Sequence, residues 1–295
     1  MSKTTRDGLL DLADGRSLRY AEWGEPDAPP VIYCHGFPGD RREIDLITST
    51  LAGRGVHARL VALNRPGYGA STFQTNRRFV DWPADVTEAA DRLGIGRFAV
   101  LGVSGGAPYA LACGHDLDER VTRVGVVVGL GPLAATGMEH ATAITGPSSN
   151  GIVRRAQFGM AAYAFRKGQA TRFIDQSVAS MGDADREAIT RPEVHDWFAE
   201  VMQEAFSEGG RGVAYEAGLY RQSWGFDLTR INVETHLWYG GRDQTVPASV
   251  GRWLDARLPE STYVVWPNHG HFSWMVDDEA AEVIATITQS NEPER

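Results

Sequence analysis

Short apolar runs alternate with amphipathic stretches along this chain, and that alternation is the strongest constraint on its fold. The apolar runs, rich in Val, Leu and Ile, lie at 31–36, 57–64, 98–103 and 121–130. Stretches with helical spacing separate them, at 41–55, 79–96 and 106–117. Continuous apolar runs are typical of strands buried on both faces. The order therefore predicts an α/β fold, with a mostly parallel central sheet flanked by helices.

A hairpin pattern precedes these apolar runs, and a long insertion follows them. Residues 8–24 alternate apolar and polar positions around Asp14-Gly15, which predicts a β-hairpin. From 132 to 225 we find no strand pattern, only helix-like stretches with many large apolar side chains. Strand and helix patterns then resume at 234–240, 247–257, 261–267 and 274–289. We predict a core domain of residues 1–131 and 226–295, interrupted by a helical cap of residues 132–225.

Composition narrows the class of partner. The chain has 295 residues and a formal net charge of -9, which disfavours nucleic acid and anionic membrane surfaces as partners. Two cysteines, Cys34 and Cys113, are too few for a disulfide framework and favour a reducing compartment. The sequence shows neither a signal-peptide pattern nor an apolar run long enough to cross a bilayer. We expect a cytoplasmic protein that acts on a small molecule, and a homodimer is left open.

Ser104 is the candidate nucleophile. It lies in GVSGG (102–106), where the apolar run at 98–103 ends and a helix is predicted to begin. A sharp strand-to-helix turn brings neighbouring backbone close, so small residues must flank the serine. The turn exposes the hydroxyl and aims the free N–H groups of a helix N-terminus at developing negative charge. An ordinary tight turn is the alternative interpretation.

A serine nucleophile needs a base, and the histidines offer two candidates. Of the eight in the chain, His269 and His271 form the one pair in a loop after a late strand pattern. We choose His271, because the small Gly270 before it suits a ring that must reach across the site; His269 is the alternative. We disfavour a metal site at this pair, because no carboxylate or cysteine stands at ligand spacing beside it in the sequence.

The remaining groups follow from position. Asp243 lies in a polar loop directly after the strand pattern at 234–240 and is the candidate for orienting the histidine, although aspartate also stabilises ordinary turns. We assign the oxyanion hole to the backbone N–H groups of Phe37 and Gly105, the first of which lies in a glycine-containing loop. His35, in the same loop, is expected to brace it.

Five motifs, in chain order, resemble those of the α/β-hydrolase fold family: HGFPG (35–39), NRPGYGAS (64–71), GVSGGAPYA (102–110), GRDQTVP (241–247) and GHF (270–272). The resemblance covers essentially the whole chain and implies a capped serine hydrolase, similar to esterases and lipases. It also implies the triad Ser104, Asp243 and His271. Haloalkane dehalogenases and epoxide hydrolases of this fold carry an aspartate nucleophile. This chain has Ser104 at that position, so we do not expect those two activities. Asn64 departs from the commoner aspartate in a loop that is structural in the family.

The expected chemistry is a two-step acyl transfer from a small apolar ester-like substrate to water, with no metal or organic cofactor. Four other functions stay open as hypotheses: a C–C bond hydrolase, an aminopeptidase, a perhydrolase, or a ligand-binding receptor that keeps the hydrolase fold. A C–C hydrolase should present a cation to a substrate carboxylate. The candidates for that cation are Arg65, Arg154, Arg155 and Arg221.

Overall fold

One eight-stranded sheet forms the centre of the protein. The computed structural model describes residues 6–51, 54–132, 135, 138, 150–166, 168–179 and 181–289. The strands are β1 (Arg6–Asp11), β2 (Ser17–Trp23), β3 (Pro30–Cys34), β4 (Arg59–Leu63), β5 (Phe98–Val103), β6 (Val121–Val127), β7 (Thr235–Gly240) and β8 (Ser261–Trp266). Their order in the sheet is β1-β2-β4-β3-β5-β6-β7-β8. Strand β2 is antiparallel to β1 and β4, and the other neighbours are parallel, which confirms the predicted α/β class.

Helices from two parts of the chain surround this sheet. The first set is α1 (Glu43–Leu51), α2 (Trp82–Arg92), α3 (Ala107–Asp116), α9 (Ala248–Asp255) and α10 (Glu279–Thr288). The second set, which we call the inserted helices, lies between β6 and β7: α4 (Gly151–Arg166), α5 (Ala170–Val178), α6 (Asp183–Ile189), α7 (Pro192–Ala205) and α8 (Arg211–Leu219). Within the described ranges, none of these helices has the length and apolar character needed to cross a membrane.

The strand and helix patterns in the sequence differ from the structure mainly at their ends. Strands β4 and β5 are buried at every position, as continuous apolar runs predict. Strand β6 stops at Val127, because Val128 has a left-handed φ of 45°. The last helix begins at Glu279 instead of 274. Before it, residues 273–276 form a 3-10 turn in which the buried Trp274 indole donates to the His271 carbonyl (3.1 Å).

The parallel arrangement decides where the candidate residues meet. Strands β3, β5, β7 and β8 run in one direction, so the loops that follow them all lie at the same edge of the sheet. These loops carry the five candidate residues. The inserted helices fall inside the range predicted to be a cap, but part of that range, including 139–149 with His140, lies outside the described residues. The boundaries of the cap stay a prediction.

A buried carboxylate joins the inserted helix α8 to the core. Glu216 accepts hydrogen bonds from the Arg65 guanidinium at 2.7 and 3.0 Å and from Arg77 at 3.3 Å. The hydroxyls of Tyr68 and Tyr109 also donate to it. Burial alone would raise the pKa of Glu216, but Arg65 and Arg77 outweigh burial and lower this pKa to about 2. The group is therefore an ionised carboxylate paired inside the protein.

Removing this carboxylate should destabilise the fold. Glu216→Ala leaves buried guanidinium groups without their partner, and we expect the free energy of unfolding to fall by about 3–5 kcal/mol in urea denaturation. Because the pKa of Glu216 is lowered on folding, its contribution is complete above the ordinary carboxyl range and declines as the pH falls toward 2. The difference between variant and parent should shrink accordingly. Glu187→Ala, at an exposed site on α6, is the control, and equal losses in both variants would contradict the prediction.

Candidate active site

Ser104 occupies a strained turn between β5 and α3. Its φ is 51°, in the left-handed region that residues other than glycine rarely adopt. A Cβ at Gly106 would lie 2.0 Å from the Cys34 carbonyl oxygen, and one at Gly102 would lie 2.7 Å from the Gly106 carbonyl oxygen. Neither position has room for a side chain. The small residues around the serine thus have a steric cause, and the turn resembles a nucleophile elbow in its geometry.

The three predicted side chains lie in hydrogen-bond contact. His271 Nε2 is 3.0 Å from Ser104 Oγ, and His271 Nδ1 is 2.7 Å from Asp243 Oδ2. The other oxygen of Asp243, Oδ1, accepts from the backbone N–H groups of Thr245 (2.7 Å) and Val246 (2.8 Å). Because a carboxylate only accepts, Nδ1 carries the hydrogen and Nε2 is left to accept from the serine hydroxyl. The arrangement can withdraw a proton from Ser104.

The surroundings of His271 favour its charged form. Burial alone would lower the pKa of this imidazole, but the Asp243 carboxylate opposes burial and the net effect raises the pKa. Asp185 and Glu43 add smaller contributions in the same direction. His271 is thus a stronger base than an ordinary histidine.

The two backbone groups assigned to an oxyanion hole lie near each other. The Phe37 nitrogen is 3.1 Å from the position that a Cβ on Gly105 would occupy. Among the described residues, no group accepts a hydrogen bond from the Phe37 amide. Gly105 belongs to the 3-10 turn that begins at Ser104, where the first N–H groups lack intrahelical acceptors. The Tyr220 hydroxyl donates to the Gly105 carbonyl (2.7 Å) and fixes the next peptide. Their role in stabilising an oxyanion stays a prediction.

His35 contacts the loop backbone and not the serine. Its Nδ1 lies 2.9 Å from the Gly36 carbonyl oxygen, and its Nε2 accepts from the Arg65 backbone N–H at 3.3 Å. Burial, followed by the Arg65 charge, lowers the pKa of His35 well below its usual value, so the ring is neutral. These contacts fit a bracing function for His35.

A cavity of about 690 Å³ opens onto Ser104 between the core and the inserted helices. Most of its lining is apolar: Phe37, Pro38, Val103, Phe158, Ala161, Phe173, Met181, Trp197, Phe198, Val201, Met202, Phe206, Phe272 and Met275. Its charged lining residues, besides His271, are Glu43 and Asp185; within the described part of the chain, no lysine or arginine lines it. The cavity suits an apolar group without negative charge.

The four arginines considered from sequence lie elsewhere. Arg65 is fully buried against Glu216. Arg154 and Arg155 line a different recess, and Arg221 lines another, which it shares with Trp253 of α9. Sequence reasoning left their positions open, and the structure places none of them on the cavity at Ser104.

Sequence reasoning missed two buried acids on this cavity. Glu43, in the first turn of α1, accepts from the Tyr33 hydroxyl and the Gly36 backbone N–H, each at 2.8 Å. Burial raises its pKa to about 7. Asp185, on α6, accepts from the backbone of the loop that carries His271. Acids on amphipathic helices usually face water, so only the closeness of Glu43 to the HGFPG motif offered a signal in the sequence.

Two carboxylates that sequence spacing did not place beside the His269/His271 pair lie close to His269 in the structure. His269 Nε2 lies 3.4 Å from Asp277 Oδ2 and 3.2 Å from Glu279 Oε2. The chain turns back after His269, and this turn brings together residues that stand eight and ten positions apart. Arg191 lies 3.8 Å from Asp277 and adds a positive charge. The polar contacts among these side chains account for the cluster, and we assign no metal to it.

Removing the Asp243 carboxylate should weaken the base. In Asp243→Asn the pKa of His271 should fall, because burial then acts on the imidazole without its main opposing charge. Titration of the imidazole by ¹⁵N NMR measures this shift. Asp118→Asn, at an exposed site, is the control and should leave the titration unchanged. A His271 pKa that is the same in Asp243→Asn and the parent would contradict the prediction.

Comparison with known proteins agrees with the fold and places the chain in a family. A family model described as alpha/beta hydrolase fold matches residues 29–278. A non-heme chloroperoxidase from Streptomyces lividans is 25% identical, over 81% of this chain and 83% of its own. A bifunctional esterase/perhydrolase from Acinetobacter calcoaceticus is 23% identical, over 90% and 92%. A thermophilic esterase from Thermogutta terrifontis has a similar structure, with a TM-score of 0.68 and 19% identity over 96% and 97% of the two chains. The chain belongs to the alpha/beta hydrolase fold family.

Proposed function

We propose that this hydrolase cleaves small, neutral carboxylic esters through an acyl-enzyme formed on Ser104. The carrying observation is the 3.0 Å contact between His271 Nε2 and the hydroxyl of a serine whose φ is 51°. The apolar cavity beside it supplies a place for the substrate. The membership of the family supports hydrolysis, and the esterase names of two similar proteins favour an ester bond.

The proposed reaction has two matching halves. Ser104 Oγ attacks the ester carbonyl carbon while His271 Nε2 takes the hydroxyl proton. The carbon–oxygen bond to the alcohol then breaks, and His271 gives its proton to the departing alcohol. Water repeats the sequence on the acyl-serine, which releases the carboxylic acid and restores the hydroxyl. Asp243 holds the imidazole tautomer and stabilises its charged form.

The Phe37 and Gly105 amides are proposed to hold the negative oxygen of each tetrahedral intermediate. Amides of this kind act through position, and loss of one such donor typically costs about 10²–10³ in rate. Glu43 supports this role because it accepts from the Gly36 N–H and so fixes the residue before Phe37. Tyr220 supports it on the other side by donating to the Gly105 carbonyl.

The charges that line the cavity argue for a neutral acyl group. Glu43 and Asp185 repel a substrate carboxylate, and no lining cation among the described residues offsets them. A C–C bond hydrolase of the type considered above requires such a cation, and the cavity gives it no support. The charges and the apolar lining of the cavity together favour esters with uncharged alkyl or aryl acyl groups.

Reaction with hydrogen peroxide is a second candidate, because the names of two relatives point to it. One is a bifunctional esterase/perhydrolase and the other a non-heme chloroperoxidase. Hydrogen peroxide in place of water on the acyl-serine would release a peracid, with no change in the first half-reaction. Measuring peracid and free acid in the same assay separates the two outcomes.

Loss of the serine hydroxyl should abolish turnover. Ser104→Ala is expected to lower kcat on p-nitrophenyl hexanoate by about 10⁴–10⁶-fold, because among the described residues Ser104 supplies the one hydroxyl in hydrogen-bond contact with His271 Nε2. Release of p-nitrophenol over many equivalents of enzyme also excludes a receptor that stops after one turnover. Ser207→Ala, at an exposed site, should keep the parental rate. Full activity in Ser104→Ala would disprove the mechanism.

A negative charge on the acyl group should lower kcat/KM. At pH 8, where Glu43 is mostly ionised, kcat/KM for p-nitrophenyl hexanoate should exceed that for the mono-p-nitrophenyl ester of adipic acid by about tenfold or more. The two acyl chains have equal length, and only the second ends in a carboxylate. Glu43→Gln should reduce this ratio, whereas Asp118→Asn should not. Equal kcat/KM for the two esters would contradict the assignment of a neutral substrate.

A further inference from the structure

We propose that Asp185, on the inserted helix α6, is a positioning residue for the base His271. Its Oδ2 accepts from the backbone N–H of His271 at 2.9 Å, and its Oδ1 accepts from the N–H of Phe272 at 2.7 Å. Only 3% of Asp185 is exposed. One carboxylate thus holds two consecutive peptides of the loop that carries the base. This inference rests on the proposed function, because it assumes that His271 takes the serine proton.

The contact matters because the other hydrogen bonds of this loop come from the 3-10 turn of residues 273–276 that directly follows it. The Trp274 indole donates to the His271 carbonyl at 3.1 Å, and the Gly270 N–H donates to Ser273 Oγ at 2.9 Å. The His271 N–H has Asp185 as its described acceptor. The His271 carbonyl is therefore held by the following turn and the His271 N–H by the inserted helix α6, and the direction of the imidazole depends on both contacts.

The glycine before the base is explained by the same carboxylate. A Cβ at Gly270 would lie 2.4 Å from Asp185 Oδ1 and 2.5 Å from its Cγ. Asp185 thus occupies the space that any larger residue at 270 would need. Gly270 of the GHF motif and the Asp185 side chain on α6 are therefore complementary in shape.

Asp185 also acts on the imidazole by charge. The ionisable groups that face His271 are Asp243 from the loop after β7, Asp185 from α6 and Glu43 from α1. Asp243 accepts a hydrogen bond from the ring. Asp185 accepts from the backbone N–H and adds its negative charge from the inserted helix α6. Loss of the Asp185 charge should therefore lower the pKa of His271. Loss of the hydrogen bonds to Asp185 should let the imidazole depart from the orientation that faces Ser104.

The first test compares Asp185→Asn with the parent enzyme on p-nitrophenyl hexanoate. Asparagine keeps the size but loses the charge and one of the two acceptors. We expect kcat to fall about 10- to 100-fold, since small misplacements of reacting groups have effects of this order, while KM changes less than threefold. The acidic limb of the pH profile of kcat/KM should move to lower pH. Asp183→Asn, at an exposed site on the same helix, should match the parent in all three measurements.

The second test uses the fit between Asp185 and Gly270. Gly270→Ala should lower kcat in the parent, because the new methyl group displaces the carboxylate. In the Asp185→Ala background the same change should cost less than threefold, since the space is then empty. Equal costs in both backgrounds would overturn the proposed contact.

The outcomes separate this proposal from the one on which it rests. Full activity in Ser104→Ala would overturn the proposed function. If Ser104→Ala and His271→Ala are inactive but Asp185→Asn keeps the parental kcat and pH profile, the triad stands and the positioning proposal falls. A change in Asp185→Asn that affects KM alone would also overturn it, since that result describes a substrate contact.

Discussion

The site depends on one sharp turn at the end of a central strand. Ser104 adopts a φ of 51°, a conformation that residues other than glycine rarely adopt unless the surrounding structure holds them in it. The chain at Gly106 passes so close to Cys34 that even a methyl group would lie 2.0 Å from a carbonyl oxygen. Because β3 and β5 are adjacent and parallel, their following loops are forced together. The same packing that strains the serine therefore also brings the Phe37 amide toward it.

Buried carboxylates organise the loops around that turn. Asp243 accepts from two backbone N–H groups of its own loop and from the His271 ring. Glu43 accepts from Gly36 in the loop after β3, and Asp185 accepts from the loop after β8. A carboxylate that accepts several N–H groups fixes their directions and is itself stabilised by them. Three loops at this edge of the sheet, those after β3, β7 and β8, thus have a carboxylate that accepts from their backbone, and one of these carboxylates comes from the inserted helices.

The sequence predicted the features that depend on local pattern. The strands, the turn at Ser104 and the placement of Asp243 and His271 after late strands all follow from apolar periodicity and the geometry of parallel sheets. The structure brings these three side chains together, although their catalytic roles, the cap boundaries, the cytoplasmic location and the oligomeric state stay predictions. Asp185 and Glu216 escaped notice because an acid on an amphipathic helix looks like a solvated residue until its tertiary partners are known. The contacts of His269 with Asp277 and Glu279 were not predicted either, because a turn in the chain brings these residues together and their sequence spacing does not show it.

Activation of Ser104 by His271 can be measured by reaction with a fluorophosphonate probe. Intact-protein and peptide mass spectrometry would measure the stoichiometry and the site of the adduct. We expect one adduct per chain, on Ser104, and its loss in a folded His271→Ala variant, because the hydroxyl is a weak nucleophile without its base. An unlabelled parent protein, or labelling of Ser104 that proceeds equally fast in His271→Ala, would contradict activation of Ser104 by His271.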